Sequence, residues 1–232
     1  MTLFASVVGG VAGYGTGALM PLVLVPMVGA EPVVPIIAIS ALFTNTGRVA
    51  AFFRFVDGRR AAIIIAAAAL TCILGAYGYS RLTGAGATLV IGSMLILSVP
   101  LRRFARRRAL TVGDGGLAIG AAGFGLVVGG TSGSGAILLS LLLAAGLEGA
   151  AVVATDAVVT IAVGILKVVT FGITGVLTAQ VIAFGLLIGT IAFPGGFLAK
   201  MLMQRLPIRV HTAMLDAVII LGGVVMLVAA VR

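Results

Sequence analysis

The chain has 232 residues, 61% of them hydrophobic and 9% charged, with a mean hydropathy of +1.31. Charges this sparse exclude a soluble globular domain, and apolar stretches that outlast about 18 residues identify a polytopic membrane protein. The net charge of +9 is no nucleic-acid footprint, because the basic residues fall into short runs between apolar segments, where they set topology.

Segment A, residues 2–28, is interrupted at Gly13-Tyr14-Gly15-Thr16-Gly17, so each arm holds about half of the roughly 20 residues that one crossing needs. It lacks a basic n-region, and its glycines recur later in the chain, so it reads as part of the fold and not as a cleaved signal. Segments B (33–55), C (61–81) and D (86–101) each read as one crossing helix at 1.5 Å per residue. Cys72, within C, is the single cysteine of the chain; it excludes an internal disulfide and reads as a small packed residue. A basic linker, 102–112, opens with Arg102-Arg103-Phe104-Ala105-Arg106-Arg107-Arg108. Segment A′ (113–146) would reach about 50 Å as one helix, far beyond a bilayer core of about 30 Å. It is broken by Gly129-Gly130-Thr131-Ser132-Gly133-Ser134-Gly135. Segments B′ (150–171), C′ (177–203) and D′ (208–231) complete the chain.

The letters mark a duplication. Gly29-Ala30-Glu31 recurs 117 residues later as Gly146-Leu147-Glu148, Gly47 as Gly164 and Gly58 as Gly175. With the register shifted by one, Gly15-Thr16-Gly17-Ala18 aligns with Gly133-Ser134-Gly135-Ala136. Repeat one is residues 1–101 and repeat two 113–232. Duplicated apolar segments with Gly-rich interruptions are what secondary transporters built from two structural repeats show in sequence. The fold expected is an all-α integral membrane protein of two inverted repeats, each with a hairpin or broken first element followed by three transmembrane helices.

The charges orient it. If A and A′ are hairpins that return to the side they entered, three connections share the cytoplasmic side: B–C (Arg54, Arg59, Arg60), the linker, and C′–D′ (Lys200, Arg205, Arg209). Arg81 and Arg232 remain outside, as do both termini. Eight simple crossings would instead put C′–D′ outside, a poorer match to the positive-inside rule.

Irregular backbone at membrane depth must be buried in protein or line a cavity. Gly15, Thr16 and Gly17 at one break, and Thr131, Ser132, Gly133, Ser134 and Gly135 at the other, are therefore candidate anion ligands. They supply hydroxyls and approachable N–H groups at the positive ends of the second hairpin arms. The plain alternative is that these small residues only permit close helix packing. Asn45 is expected to line the same cavity. Asp156 is the candidate proton-coupling residue, with a buried structural ion pair as its rival reading. Arg48 and Lys167 are candidate charge partners, although a basic side chain near a helix end ordinarily snorkels to the interface. Asp216 is expected to meet His211 or Arg209 at the interface. The pattern holds no catalytic constellation, no metal-ligand spacing and no phosphate-binding loop, so neither enzyme chemistry nor a cofactor is expected.

Taken together, Gly13-Tyr14-Gly15-Thr16-Gly17-Ala18 followed by Pro21, the Ala38–Asn45 stretch with Gly47-Arg48, and Gly133-Ser134-Gly135-Ala136 resemble the sulfite exporter TauE/SafE family over nearly the whole chain. The resemblance implies a multi-pass protein of the plasma membrane (the inner membrane of a bacterial cell) that moves sulfite, a sulfonate or another small organic anion. It looks like a proton-coupled exporter working by alternating access, one repeat rocking against the other. A homo-oligomer in the lipid bilayer is compatible with this reading. Two rivals remain open: a passive anion channel, and a membrane subunit docked through the basic linker.

Overall fold

The structure, a computed structural model, describes residues 15–107, 112–132 and 134–193, with four isolated positions from 220 to 228; at 15–19, 98–99 and 101–107 it describes the backbone alone. Within these residues the chain forms eight α-helices and no strand. They are α1 (Gly15–Val28), α2 (Val33–Phe52, continued by a 3-10 turn Phe53–Phe55), α3 (Gly58–Ser80), α4 (Gly84–Arg107), α5 (Asp114–Gly130), α6 (Gly135–Ala144), α7 (Gly149–Ile173) and α8 (Ala179–Ala192). The first arm of segment A, the end of the linker, most of D′, and the residues Lys200, Arg205, Arg209, His211 and Asp216 lie outside the described residues. Among the described residues three spans are long and apolar enough to cross a membrane: Val33–Phe55, Gly58–Ser80 and Gly149–Ile173. Large apolar side chains such as Leu70, Ile119 and Ile173 point outward, as a lipid-facing surface requires.

Local chemistry sets the helix ends. Gly29 and Gly146, equivalent in the duplication, both adopt the left-handed conformation, at φ 80° and 83°. A side chain there would be strained, so glycine stops α1 and α6 at matching points. Beyond α1, the Gly29 N–H bonds the Val25 carbonyl at 3.0 Å; beyond α6, the Gly146 and Leu147 N–H groups return to Leu143 and Leu142. One boundary departs from the sequence reading. Helix α4 continues past Pro100 to Arg107, six residues into the expected linker, where its arginines are good helix formers.

Segment A′ does not cross as one helix. The Val112 N–H, just before α5, donates to the carbonyl of Ala144 at the end of α6 at 2.9 Å, and Gly120 packs on Leu141. The chain therefore doubles back, and the hairpin ends on the side where it began.

Among the described residues two apolar cores hold the bundle. One gathers α1, α2, α4 and α8 with the ends of α3 and α7 around Ile36, Tyr79, Ile91 and Phe171. The other gathers α3, α5, α6 and α7 around Ile64, Cys72, Phe124 and Leu138. The two halves of the sequence thus exchange helices: α3 joins the second core and α8 the first. Helices α3 and α5 meet backbone to backbone, with Gly125 on Ala68, Gly129 on Cys72 and Gly75 on Leu126. Helices α2 and α7 cross the molecule in opposite directions, since Gly164 faces Ala38 and Leu42 while Arg48 reaches back to Val153.

Between α2 and α3 lies Asp57, the N-cap of α3. Its carboxylate accepts from the Arg60 N–H at 3.0 Å and from the Arg60 guanidinium at 2.6 Å. The backbone bond above all, then the guanidinium, holds its pKa below the ordinary carboxylate range. A lowered folded-state pKa stabilises the fold above the unfolded value of about 4, and that stability is lost as pH falls through the folded value. Asp57→Ala should accordingly lower stability by about 1 kcal/mol at pH 7. In thermal unfolding in detergent, the gap from wild type should narrow as the pH falls below the unfolded value and through the lowered folded-state value.

Candidate functional site

The α5–α6 hairpin places its break inside the protein. Helix α5 ends at Gly130, and Thr131 turns extended (φ −140°, ψ 177°), which leaves the last carbonyls of α5 without helical partners. Lys167 of α7 supplies them: its ammonium donates to the Val128 carbonyl at 2.8 Å and to the Thr131 carbonyl at 2.9 Å. The Thr131 hydroxyl donates to Val127 at 2.6 Å, so its proton is committed to α5. Ser132 follows, only 3% exposed, and its hydroxyl has no hydrogen-bond partner among the described residues. Ser134 is buried at the N-cap position of α6 without a side-chain capping bond, and α6 starts at Gly135 with its first-turn N–H groups and positive dipole end toward the break.

Depth follows from helix rise. The ten residues of α6 climb about 15 Å from the turn shared with α7, so its N-terminus stands near the tenth of the 25 residues of α7. The fourteen residues of α1 carry Gly15, Thr16 and Gly17, its first turn, to about the level of Thr46 in α2. Because α2 and α7 run oppositely, both half-helix N-termini fall within about 5 Å of one depth, near the middle of the bundle. Gly133 lies outside the described residues.

Beside this level sits an ion pair between α2 and α7. Arg48 Nη1 lies 2.9 Å from Asp156 Oδ2 and donates to Asn45 Oδ1 at 2.8 Å, while Nη2 reaches the Val153 carbonyl at 3.5 Å. Arg48 and Asp156 are 8% and 2% exposed, and Arg48 Nε and Asp156 Oδ1 have no partners among the described residues. Asn45 is spent within this cluster, its amide donating to Ala41 at 2.8 Å.

Arg48 and Lys167 therefore correct the snorkelling expectation. Each turns inward, because a carboxylate and a pair of helix-end carbonyls sit within reach where no water competes for them. The strap role of Lys167 was missed from sequence, although a signal existed. Asp156, Val159, Val163, Lys167 and Thr170 recur at three- and four-residue spacing and all are buried, so Lys167 shares the inward stripe of α7. Cys72 packs with its thiol 3.9 Å from the Val163 carbonyl. No group of metal-binding side chains occurs among the described residues. A cavity of about 350 Å³ opens at the opposite end from Asp57, lined by Glu31, Ile36, Val176, Thr178, Gln180 and Phe184 among others. The Glu31 carboxylate there opposes an anion, and the cavity is remote from the hairpin break.

The family model of the sulfite exporter TauE/SafE family matches residues 1–226 of the chain. No curated protein and no solved structure matches it.

Proposed function

Since this chain belongs to the sulfite exporter TauE/SafE family, we propose that it is a secondary transporter that binds a small anion, sulfite or an organosulfonate, between the N-termini of α1 and α6. The observation that carries this reading is the buried Ser132 hydroxyl, unpartnered at the hairpin break directly before the α6 N-terminus. A buried hydroxyl without a partner is costly, and an anion completes it. Two positive helix ends at one depth add attraction without a dedicated cation at each.

The antiparallel course of α2 and α7, which occupy equivalent places in the duplication, supports an inverted relation of the repeats. The helix exchange makes the rocking units of alternating access the two apolar cores, not the two stretches of sequence, because α3 is joined to α5 through glycine backbones. Arg48–Asp156 spans the boundary between these units, and Asp156 is the coupling group that takes up a proton when Arg48 is released. The end carrying Arg54, Arg59, Arg60 and the hairpin base is cytoplasmic by the positive-inside rule, in the plasma membrane.

The tip is tested by two variants. Gly135→Leu should stay folded yet abolish binding of sulfite measured by calorimetry in detergent, because a branched side chain fills the space where ligand approaches the N–H groups. Ser132→Ala should weaken binding by roughly 1.5–3 kcal/mol, the usual net value of one hydrogen bond to a charged group. A folded Gly135→Leu protein with wild-type affinity places the site elsewhere.

A further inference from the structure

We propose that the Lys167 ammonium is the fixed positive charge that neutralises the bound anion, and so selects anions over neutral molecules of the same shape. The inference rests on the tip site proposed above and adds the residue that sets its charge.

The argument is one of charge balance. Among the described residues, three buried charged side chains gather around α7: Arg48 and Asp156 where it meets α2, and Lys167 where it meets the end of α5. Arg48 and Asp156 neutralise each other at 2.9 Å. Asp156 precedes Lys167 by eleven residues, about 16 Å of helix, and its ion pair is with Arg48. Lys167 is 5% exposed, and its partners are the two uncharged carbonyls of Val128 and Thr131. The other titratable group near it, Cys72 on α3, is a thiol. Among the described residues no carboxylate pairs with Lys167, and an unpaired buried cation in a membrane protein is expensive. An ammonium has three N–H groups, and two are placed on the carbonyls, which leaves one for a ligand. The residue after Thr131 is Ser132, whose buried hydroxyl also lacks a partner. A cation without a counter-charge, held on the Thr131 carbonyl, and the unpartnered hydroxyl of the next residue, Ser132, are both satisfied by one anion.

The test uses methanesulfonate and its uncharged isostere dimethyl sulfone, with binding read by calorimetry and folding by thermal unfolding in detergent. Wild type should bind methanesulfonate and ignore the sulfone; equal binding of the two overturns the proposal whatever the variants do. Lys167→Met should lose methanesulfonate affinity by at least about 30-fold and bind both compounds alike. Lys167→Gln keeps two N–H donors for the Val128 and Thr131 carbonyls without the charge; it should show the same loss if Lys167→Met fails to fold. Lys167→Arg should restore the preference for the anion. A folded Met or Gln variant with wild-type affinity makes Lys167 a strap for the hairpin and nothing more. Failure of the tip site itself would look different: methanesulfonate binding would then survive Gly135→Leu, independent of any change at Lys167.

Discussion

Gly129→Ala is expected to destabilise the protein severely, by an amount at the top of the roughly 1–3 kcal/mol range of overpacked sites. A β-carbon there would collide with the Cys72 carbonyl and lie 2.9 Å from the Ala76 nitrogen. Both obstacles are backbone, so no side-chain rotation relieves the clash and α3 must move away from α5. The shift would also disturb the second apolar core, to which both helices belong. Gly123→Ala is the control on the same helix, since a β-carbon there meets nothing within 4 Å. That variant should be neutral or gain up to about 1 kcal/mol from helix propensity. Thermal unfolding of the two variants in detergent decides the matter: equal stability would mean that α3 and α5 are not in backbone contact.

Asp156→Leu should cost about 3–5 kcal/mol, because it strands Arg48 as a buried unpaired cation. Arg48→Leu should do comparable damage by stranding the carboxylate. The double variant, with no charge left to bury, should recover most of the loss, giving a large coupling energy in the cycle. Additive losses would show that the two groups do not depend on each other. Transport separates the functional role from the structural one. Asp156→Asn keeps an acceptor for Arg48 but cannot take up a proton, so anion transport into liposomes should lose its response to an imposed pH gradient. An unchanged response would leave Asp156 as a structural ion-pair partner only.

What was legible in the sequence was whatever depends on local properties of the chain. The membrane class followed from hydropathy, and the reversal inside 113–146 from a segment too long for one crossing and broken by glycines. The matching ends of α1 and α6 followed from Gly29 and Gly146, which alone tolerate the left-handed turn those ends require. The polar residues worth naming were legible too, because Asp156, Arg48 and Lys167 are conspicuous on apolar helices. Their partners were not. A long basic side chain reaches either the interface or the interior, and only the packed neighbours decide which is more favourable. Tertiary structure decided for the interior, by setting Asp156 beside Arg48 and the open end of α5 beside Lys167. It likewise decided the exchange of α3 and α8 between the two cores. Apolar helix faces are interchangeable by hydropathy, and the choice among them rests on which small residues let two backbones touch.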